Sequence, residues 1–126
     1  MGVPDQWVER ARYDLETARA MLEAERFLYV IFCCQQAVEK ALKALIIKRS
    51  GKTPPRLHNL PGLAEAAELD LDADRTELLL WLTNAYIRSR YPGQPGAPDE
   101  SLDTTISSQI LSRTEETCEW LLSLLT

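Results

Sequence analysis

The sequence predicts an all-α fold: an up-and-down bundle of about five helices, formed by one domain that spans residues 1–126. Leu, Ala, Glu and Arg are abundant and only 5 of the 126 residues are glycine, a composition that favours helices. Apolar residues recur at steps of three and four in five stretches, and no stretch alternates like a strand. A chain of this length suits a single hydrophobic core.

The first predicted helix covers residues 4–24, and Pro4 suits its first turn, where the missing N–H is harmless. Asp14 lies at the edge of an apolar stripe, and a carboxylate near the core needs a partner. We therefore expect Asp14 to pair with Lys40 or Lys43 of the second helix. The stripe consists of Trp7, Ala11, Leu15, Ala18 and Leu22.

The second predicted helix, over residues 27–50, is the longest and most apolar, so we expect it at the centre of the bundle. Gly51 provides a left-handed stop, and two prolines then force an extended connection. A short third helix fits residues 59–69, with Asn59 as its N-cap.

The fourth predicted helix covers residues 74–91, and Asp74 and Glu77 have the spacing of a capping box at its start. The Pro- and Gly-rich residues 92–98 predict an exposed loop. The fifth helix is predicted over residues 102–124.

Composition excludes several classes of function. The net charge of −5 argues against broad nonspecific binding of nucleic acid, although cations gather within residues 27–57 and could hold a phosphate. A single histidine and cysteines without ligand spacing argue against a metal site, so we expect Cys33, Cys34 and Cys118 to be packing residues. No apolar run resembles a membrane span or a signal peptide. We expect a cytoplasmic protein with no cofactor and no membrane contact.

Polar and aromatic side chains lie along one side of the second helix, at steps of three and four. One interpretation is a solvated face with a Glu39–Lys43 pair worth about 0.3–0.5 kcal/mol. The other is a face that meets another helix or a ligand, with Lys40 and Lys43 as binding candidates and Gln36 and Glu39 as structural polar residues beside Asp14. The set comprises Tyr29, Phe32, Gln36, Glu39, Lys40 and Lys43.

The end of the fourth helix holds Tyr86, Arg88, Arg90 and Tyr91. The helix dipole favours a cation there, but two arginines flanked by tyrosines also form an anion-binding and base-stacking site. His58 is either a helix-start residue whose ring bonds to the backbone or a binding residue. No sequence motif supplies a nucleophile or a phosphate-binding glycine loop, so no catalytic residue is assigned.

Taken together, these residues resemble the HEPN domain family (higher eukaryotes and prokaryotes nucleotide-binding), from about Gln6 to the last helix. The resemblance implies an up-and-down helical bundle that usually dimerises. It also implies, for many members, a two-component or toxin–antitoxin pairing with a minimal nucleotidyltransferase. The matching residues are Trp7, Ala11, Asp14 and Ala18; then Phe32, Gln35, Gln36, Ala37, Glu39, Lys40 and Lys43; then His58-Asn59-Leu60 and Arg90-Tyr91-Pro92.

Other members of that family are metal-independent ribonucleases, which carry an arginine, then four to six residues, then a histidine. Counted from Arg88 or Arg90, the histidine would fall within residues 93–97, none of which is histidine. His58 instead lies 30 residues before Arg88, beyond a proline-bounded connection. The family's general acid or base is therefore missing from its usual place.

The sequence thus favours a binding and assembly module, a homodimer that binds a nucleotide or a nucleotidyltransferase partner and has no catalytic activity of its own. RNA is the less favoured ligand. The alternatives are a divergent metal-independent ribonuclease that uses Arg88 or Arg90 with His58, and a purely structural helical subunit. The dimer is expected because large aromatic residues need cover: Trp7, Trp81, Trp120, Phe27 and Phe32.

Overall fold

A computed structural model describes residues 2–91 and 102–126 of the chain, and within them it contains five α-helices and no strand. This confirms the predicted all-α bundle. The predicted loop at residues 92–98 lies outside the described residues. The helices are α1 (Val3–Glu23), α2 (Phe27–Ser50), α3 (Leu60–Ala66), α4 (Ala73–Ser89) and α5 (Thr104–Ser123).

As its apolar sequence predicts, α2 lies at the centre and contacts each of the other four helices. Its neighbour α1 buries Ala11 and Ala18 completely, and α5 buries Ile110 and Leu121. Burial of this kind is worth about 25 cal/mol per Å² of apolar surface and drives the packing. None of the described helices is long and apolar enough to cross a membrane.

The helix ends are set by local hydrogen bonds. Gly51 ends α2 with a φ of 69°, as predicted, and Asn59 caps α3 by accepting a bond from the Gly62 N–H at 3.0 Å. The predicted Asp74–Glu77 box at the start of α4 is wrong. Asp72 is the N-cap instead, because its side chain accepts a hydrogen bond from the Arg75 N–H at 2.8 Å.

Three helices are shorter than predicted, and α5 is one of them because it covers Thr104–Ser123 instead of residues 102–124. α3 ends at Ala66, shortly before Glu68, whose φ of 56° places it in the left-handed region and stops the helix. α4 ends at Ser89 rather than at residue 91.

A salt bridge joins α1 to α2 as the sequence predicts. Lys40 Nζ lies 2.6 Å from Asp14 Oδ2, and the side chains of Lys40 and Asp14 are only 21% and 15% exposed. Partial burial protects the pair from solvent screening, so it is worth more than an exposed pair.

We expect Asp14→Asn to lower the free energy of unfolding by about 1–3 kcal/mol, because the substitution leaves the Lys40 ammonium half-buried without its counter-charge. Urea denaturation measures the change. Glu16→Gln, an exposed substitution on the same helix, is the control and should change stability by less than about 0.5 kcal/mol. Equal stability of Asp14→Asn and wild type would contradict a structural role for this pair.

All three cysteines are free and buried, which confirms the packing role expected from the sequence. Burial raises the pKa of Cys34 to about 12, and it also raises the pKa of Cys33 and Cys118. Since the thiolate is the reactive form, a raised pKa suppresses thiol chemistry near neutral pH.

We expect the folded protein to resist alkylation by iodoacetamide at a pH of about 8, where ordinary cysteines begin to ionise. Unfolding in guanidinium chloride should return the pKa of each thiol to its ordinary range and expose all three to the reagent. Mass spectrometry counts the labelled cysteines in each state. Rapid labelling of the folded protein would show that the thiols are more accessible than the structure indicates.

Candidate functional site

A buried carboxylate organises the polar side of α2. Glu39 is only 4% exposed, and its oxygens accept hydrogen bonds from three donors. Lys43 Nζ lies 3.1 Å from Oε2, while His58 Nδ1 and Gln35 Nε2 lie 2.8 Å and 3.2 Å from Oε1. The Glu39–Lys43 pair forms as the solvated-face interpretation predicted. Both residues are buried, however, so that interpretation is wrong about their exposure.

Gln35 is the supporting residue of the site that sequence reasoning missed. It is completely buried, and its Nε2 donates both to Glu39 and to the His58 carbonyl oxygen, the latter at 3.0 Å. Its Oε1 accepts from the half-buried Gln36 at 2.8 Å. The Gln-Gln pair in the sequence was the available signal, but the structural role was assigned to Gln36 alone.

The connection before α3 is held from two sides. Gln35 binds the His58 carbonyl, and the Leu60 N–H donates to Thr83 Oγ1 of α4 at 3.0 Å. The His58 ring bonds to Glu39 rather than to backbone, and its side chain stays 56% exposed. The interpretation of His58 as a helix-start residue whose ring bonds to the backbone is therefore wrong. Its ring nitrogen Nδ1 forms a hydrogen bond with the buried Glu39 carboxylate instead.

Tyr86 brings His58 and Arg90 to one place. The Tyr86 ring lies 5.7 Å from the His58 ring and 5.8 Å from Phe32, with which it stacks. Arg90 donates a hydrogen bond to the Tyr86 hydroxyl, and its guanidinium carbon lies 4.7 Å from the ring centroid. We call Phe32, His58, Tyr86 and Arg90 the Tyr86 surface.

From the sequence, His58 was expected to lie apart from the arginines at the end of α4. The structure shows that this expectation is wrong for Arg90, because both residues contact Tyr86. The connection folds back onto α4 because the Leu60 N–H donates a hydrogen bond to the Thr83 hydroxyl, three residues before Tyr86. The ring of His58 then meets the ring of Tyr86. Distance along the chain was therefore a poor guide to distance in space.

The remaining candidates lie apart from this surface or at its margin. Lys40 is occupied by Asp14, and Lys43 Nζ lies 5.5 Å from the Trp7 ring centroid on the α1 side. Arg88 and Tyr91 are exposed at the end of α4. Of the seven binding candidates, the Tyr86 surface therefore unites His58, Tyr86 and Arg90.

The side chains of the Tyr86 surface suit a ligand that has both an anionic group and an aromatic ring. Arg90 offers a guanidinium that suits phosphate, while the 41% exposed Phe32 offers a face for stacking. His58 adds a ring nitrogen that can accept or donate a hydrogen bond. In the part of the chain that the structure describes, no group of histidine, cysteine or acidic side chains is arranged to hold a metal ion.

Comparisons with known proteins agree with this architecture. A family model described as "HEPN domain" matches residues 5–124. The crystal structure of ST0689, an archaeal HEPN homologue, is 25% identical, with a TM-score of 0.80 and 100% coverage of both chains. The crystal structure of TT1696 from Thermus thermophilus is 26% identical, with a TM-score of 0.82 and 98% coverage of each chain. A search of curated proteins finds no match.

We expect Lys43→Met to destabilise the fold by about 3–5 kcal/mol, because it leaves the Glu39 carboxylate buried without its cation. The double variant Glu39→Met, Lys43→Met should recover most of that loss, since an apolar pair of similar volume needs no charge compensation. Urea denaturation of the two variants and wild type measures both effects. A single variant as stable as wild type would contradict the charge balance described here.

Proposed function

The chain belongs to the HEPN domain family, and from this premise we propose that it is a nucleotide-binding and assembly module. It works as a homodimer with a minimal nucleotidyltransferase partner. The observation that carries the proposal is the Tyr86 surface. There the Arg90 guanidinium and the rings of Phe32 and His58 all lie beside Tyr86. A nucleotide has a planar base and an anionic phosphate, and this surface offers a partner for each.

Exposed apolar side chains support the dimer. Leu80 and Ile87 are seven residues apart and lie along one side of α4, and Tyr91 follows just after the helix ends. Each of the three is about half exposed. Tyr29 and Phe32 of α2 are exposed as well. A second copy packed against these side chains would remove their apolar surface from water.

The structure also changes the reasoning behind the dimer. Trp81 and Trp120 pack against the chain's own core, and Trp7 lies beside Lys43. The tryptophans are therefore largely covered within one chain. The argument for a second copy now depends on Phe32 and on the exposed side of α4.

The nucleotidyltransferase partner is supported by the family alone, since many members of the family act beside such an enzyme. Co-purification of the chain with the product of a neighbouring gene tests this part of the proposal. Recovery of the chain without a nucleotidyltransferase, under conditions where both are expressed, would contradict it.

The alternative function is a divergent metal-independent ribonuclease, and one observation favours it. His58 and Arg90 both contact Tyr86, so a histidine and an arginine share one surface although the usual linear motif is absent. Against it stands the single histidine of the chain, because RNA cleavage needs one group to remove a proton and another to supply one. We therefore retain binding as the proposed function.

We expect the protein to bind ATP, used as a nucleotide probe, and the double variant Arg88→Ala, Arg90→Ala to bind it at least about tenfold more weakly, because charged hydrogen bonds to phosphate contribute about 1.5–3 kcal/mol. Calorimetry measures the affinity. Arg10→Ala, which removes an exposed arginine of α1, is the matched control.

Light scattering should give twice the chain mass of 14.3 kDa. Equal affinity in the double variant, or a monomer mass, would contradict the corresponding part of the proposal.

We also expect the purified protein to leave a labelled single-stranded RNA intact in the presence of EDTA, because only one histidine is available for proton transfer. Gel electrophoresis over a time course checks this. Cleavage by wild type that disappears in His58→Ala would establish the ribonuclease instead. Cleavage that persists in His58→Ala would indicate a contaminating nuclease.

A further inference from the structure

The only histidine of the chain presents one ring nitrogen to a buried acid and exposes more than half of its side chain. Nδ1 lies 2.8 Å from Glu39 Oε1, and the His58 side chain is 56% exposed whereas that of Glu39 is 5% exposed. One part of the imidazole is thus held inside the protein, and the rest lies at the Tyr86 surface.

The Glu39 carboxylate determines which ring nitrogen of His58 must carry a proton. An ionised carboxylate only accepts hydrogen bonds, so the nitrogen that faces it must be a donor. Lys43, at 3.1 Å, already supplies the cation that a buried carboxylate needs. Glu39 therefore needs only a hydrogen-bond donor from the His58 ring. In a neutral ring that donor is Nδ1–H, and Nε2 is then the nitrogen without a proton.

Hydrogen bonds around Gln35 fix this arrangement further. Gln35 donates to Glu39 and to the His58 carbonyl, and it accepts from Gln36. Its amide group thus uses both donors and one acceptor site, and it holds the acid and the histidine backbone in a common frame. Rotation of the His58 ring away from Glu39 would leave the carboxylate with one donor fewer.

We infer that Glu39 is a positioning residue that keeps the His58 proton on Nδ1, so that Nε2 is the nitrogen that accepts a hydrogen bond from a bound ligand. This inference rests on the proposed nucleotide-binding function for the identity of the ligand. A neutral Nε2 accepts from a hydroxyl or amino group, and Arg90, across Tyr86, takes a negative group. The matching ligand carries a hydrogen-bond donor close to a phosphate, as a ribonucleotide does.

The single histidine makes the test direct. Protein labelled with ¹⁵N-histidine gives one imidazole in a long-range ¹H–¹⁵N correlation spectrum, and the nitrogen shifts report which atom carries the proton. At a pH of about 8.5, where an ordinary histidine is neutral, wild type should show the Nδ1–H form. A free histidine side chain in water favours the Nε2–H form.

The variant to compare is Glu39→Met, Lys43→Met, which removes the acceptor together with its counter-charge. Its His58 should shift to the Nε2–H form, and its affinity for ATP should fall about tenfold, the equivalent of one lost hydrogen bond of about 1.4 kcal/mol. The control is Arg19→Met, Glu115→Met, which removes an ion pair between α1 and α5. It should retain the wild-type spectrum and affinity.

Each outcome bears on a different claim. An Nε2–H form in wild type, or an unchanged spectrum in the Glu39→Met, Lys43→Met variant, would overturn positioning by Glu39. A shifted spectrum with unchanged ATP affinity would overturn the contact between Nε2 and the ligand. An Nδ1–H form in a wild-type protein that binds no ATP would support the positioning and contradict the proposed nucleotide binding.

Discussion

The buried carboxylate of Glu39 is the constraint on which the rest of the site depends. A charge placed on the central helix of a bundle is costly unless cations and hydrogen-bond donors surround it. Lys43, Gln35 and His58 meet that need. Because His58 belongs to the connection before α3, the requirement of one side chain on α2 also determines where that connection lies.

The same requirement links the core to the surface. Lys43 lies between Glu39 and the Trp7 ring, so the network reaches α1 on one side. On the other side His58 reaches Tyr86 of α4. The candidate binding surface is therefore linked by hydrogen bonds to the buried central helix, which favours a preformed arrangement of its side chains.

Helical periodicity, end signals and apolar stripes predicted the five helices, the role of Gly51 and the cap at Asn59, because those features depend on residues close together in the chain. The Asp14–Lys40 pair was predictable since both residues lie at the edge of packed helix faces. The burial of Glu39 and Gln35 could not be predicted from the sequence. A solvated polar stripe and a buried hydrogen-bond network place their residues at the same spacing along a helix. The meeting of His58 with Tyr86 depends on a fold-back at Thr83, which no local pattern encodes. Asp72 and Asp74 both suit a cap, and only the Arg75 contacts decide between them.

The close pairing of α1 with α2 has a consequence for the order of assembly. These helices are adjacent in the chain, joined by a short turn, and already share the Asp14–Lys40 bridge. Contacts between neighbouring segments cost little loop entropy and form quickly, so we expect this hairpin to be the folding nucleus. Pulse-labelled hydrogen exchange with earlier protection in α4 than in α1 and α2 would refute that order. The Tyr86 surface also needs α4 in place, so a chain in which only α1 and α2 have paired does not yet present this surface to a ligand.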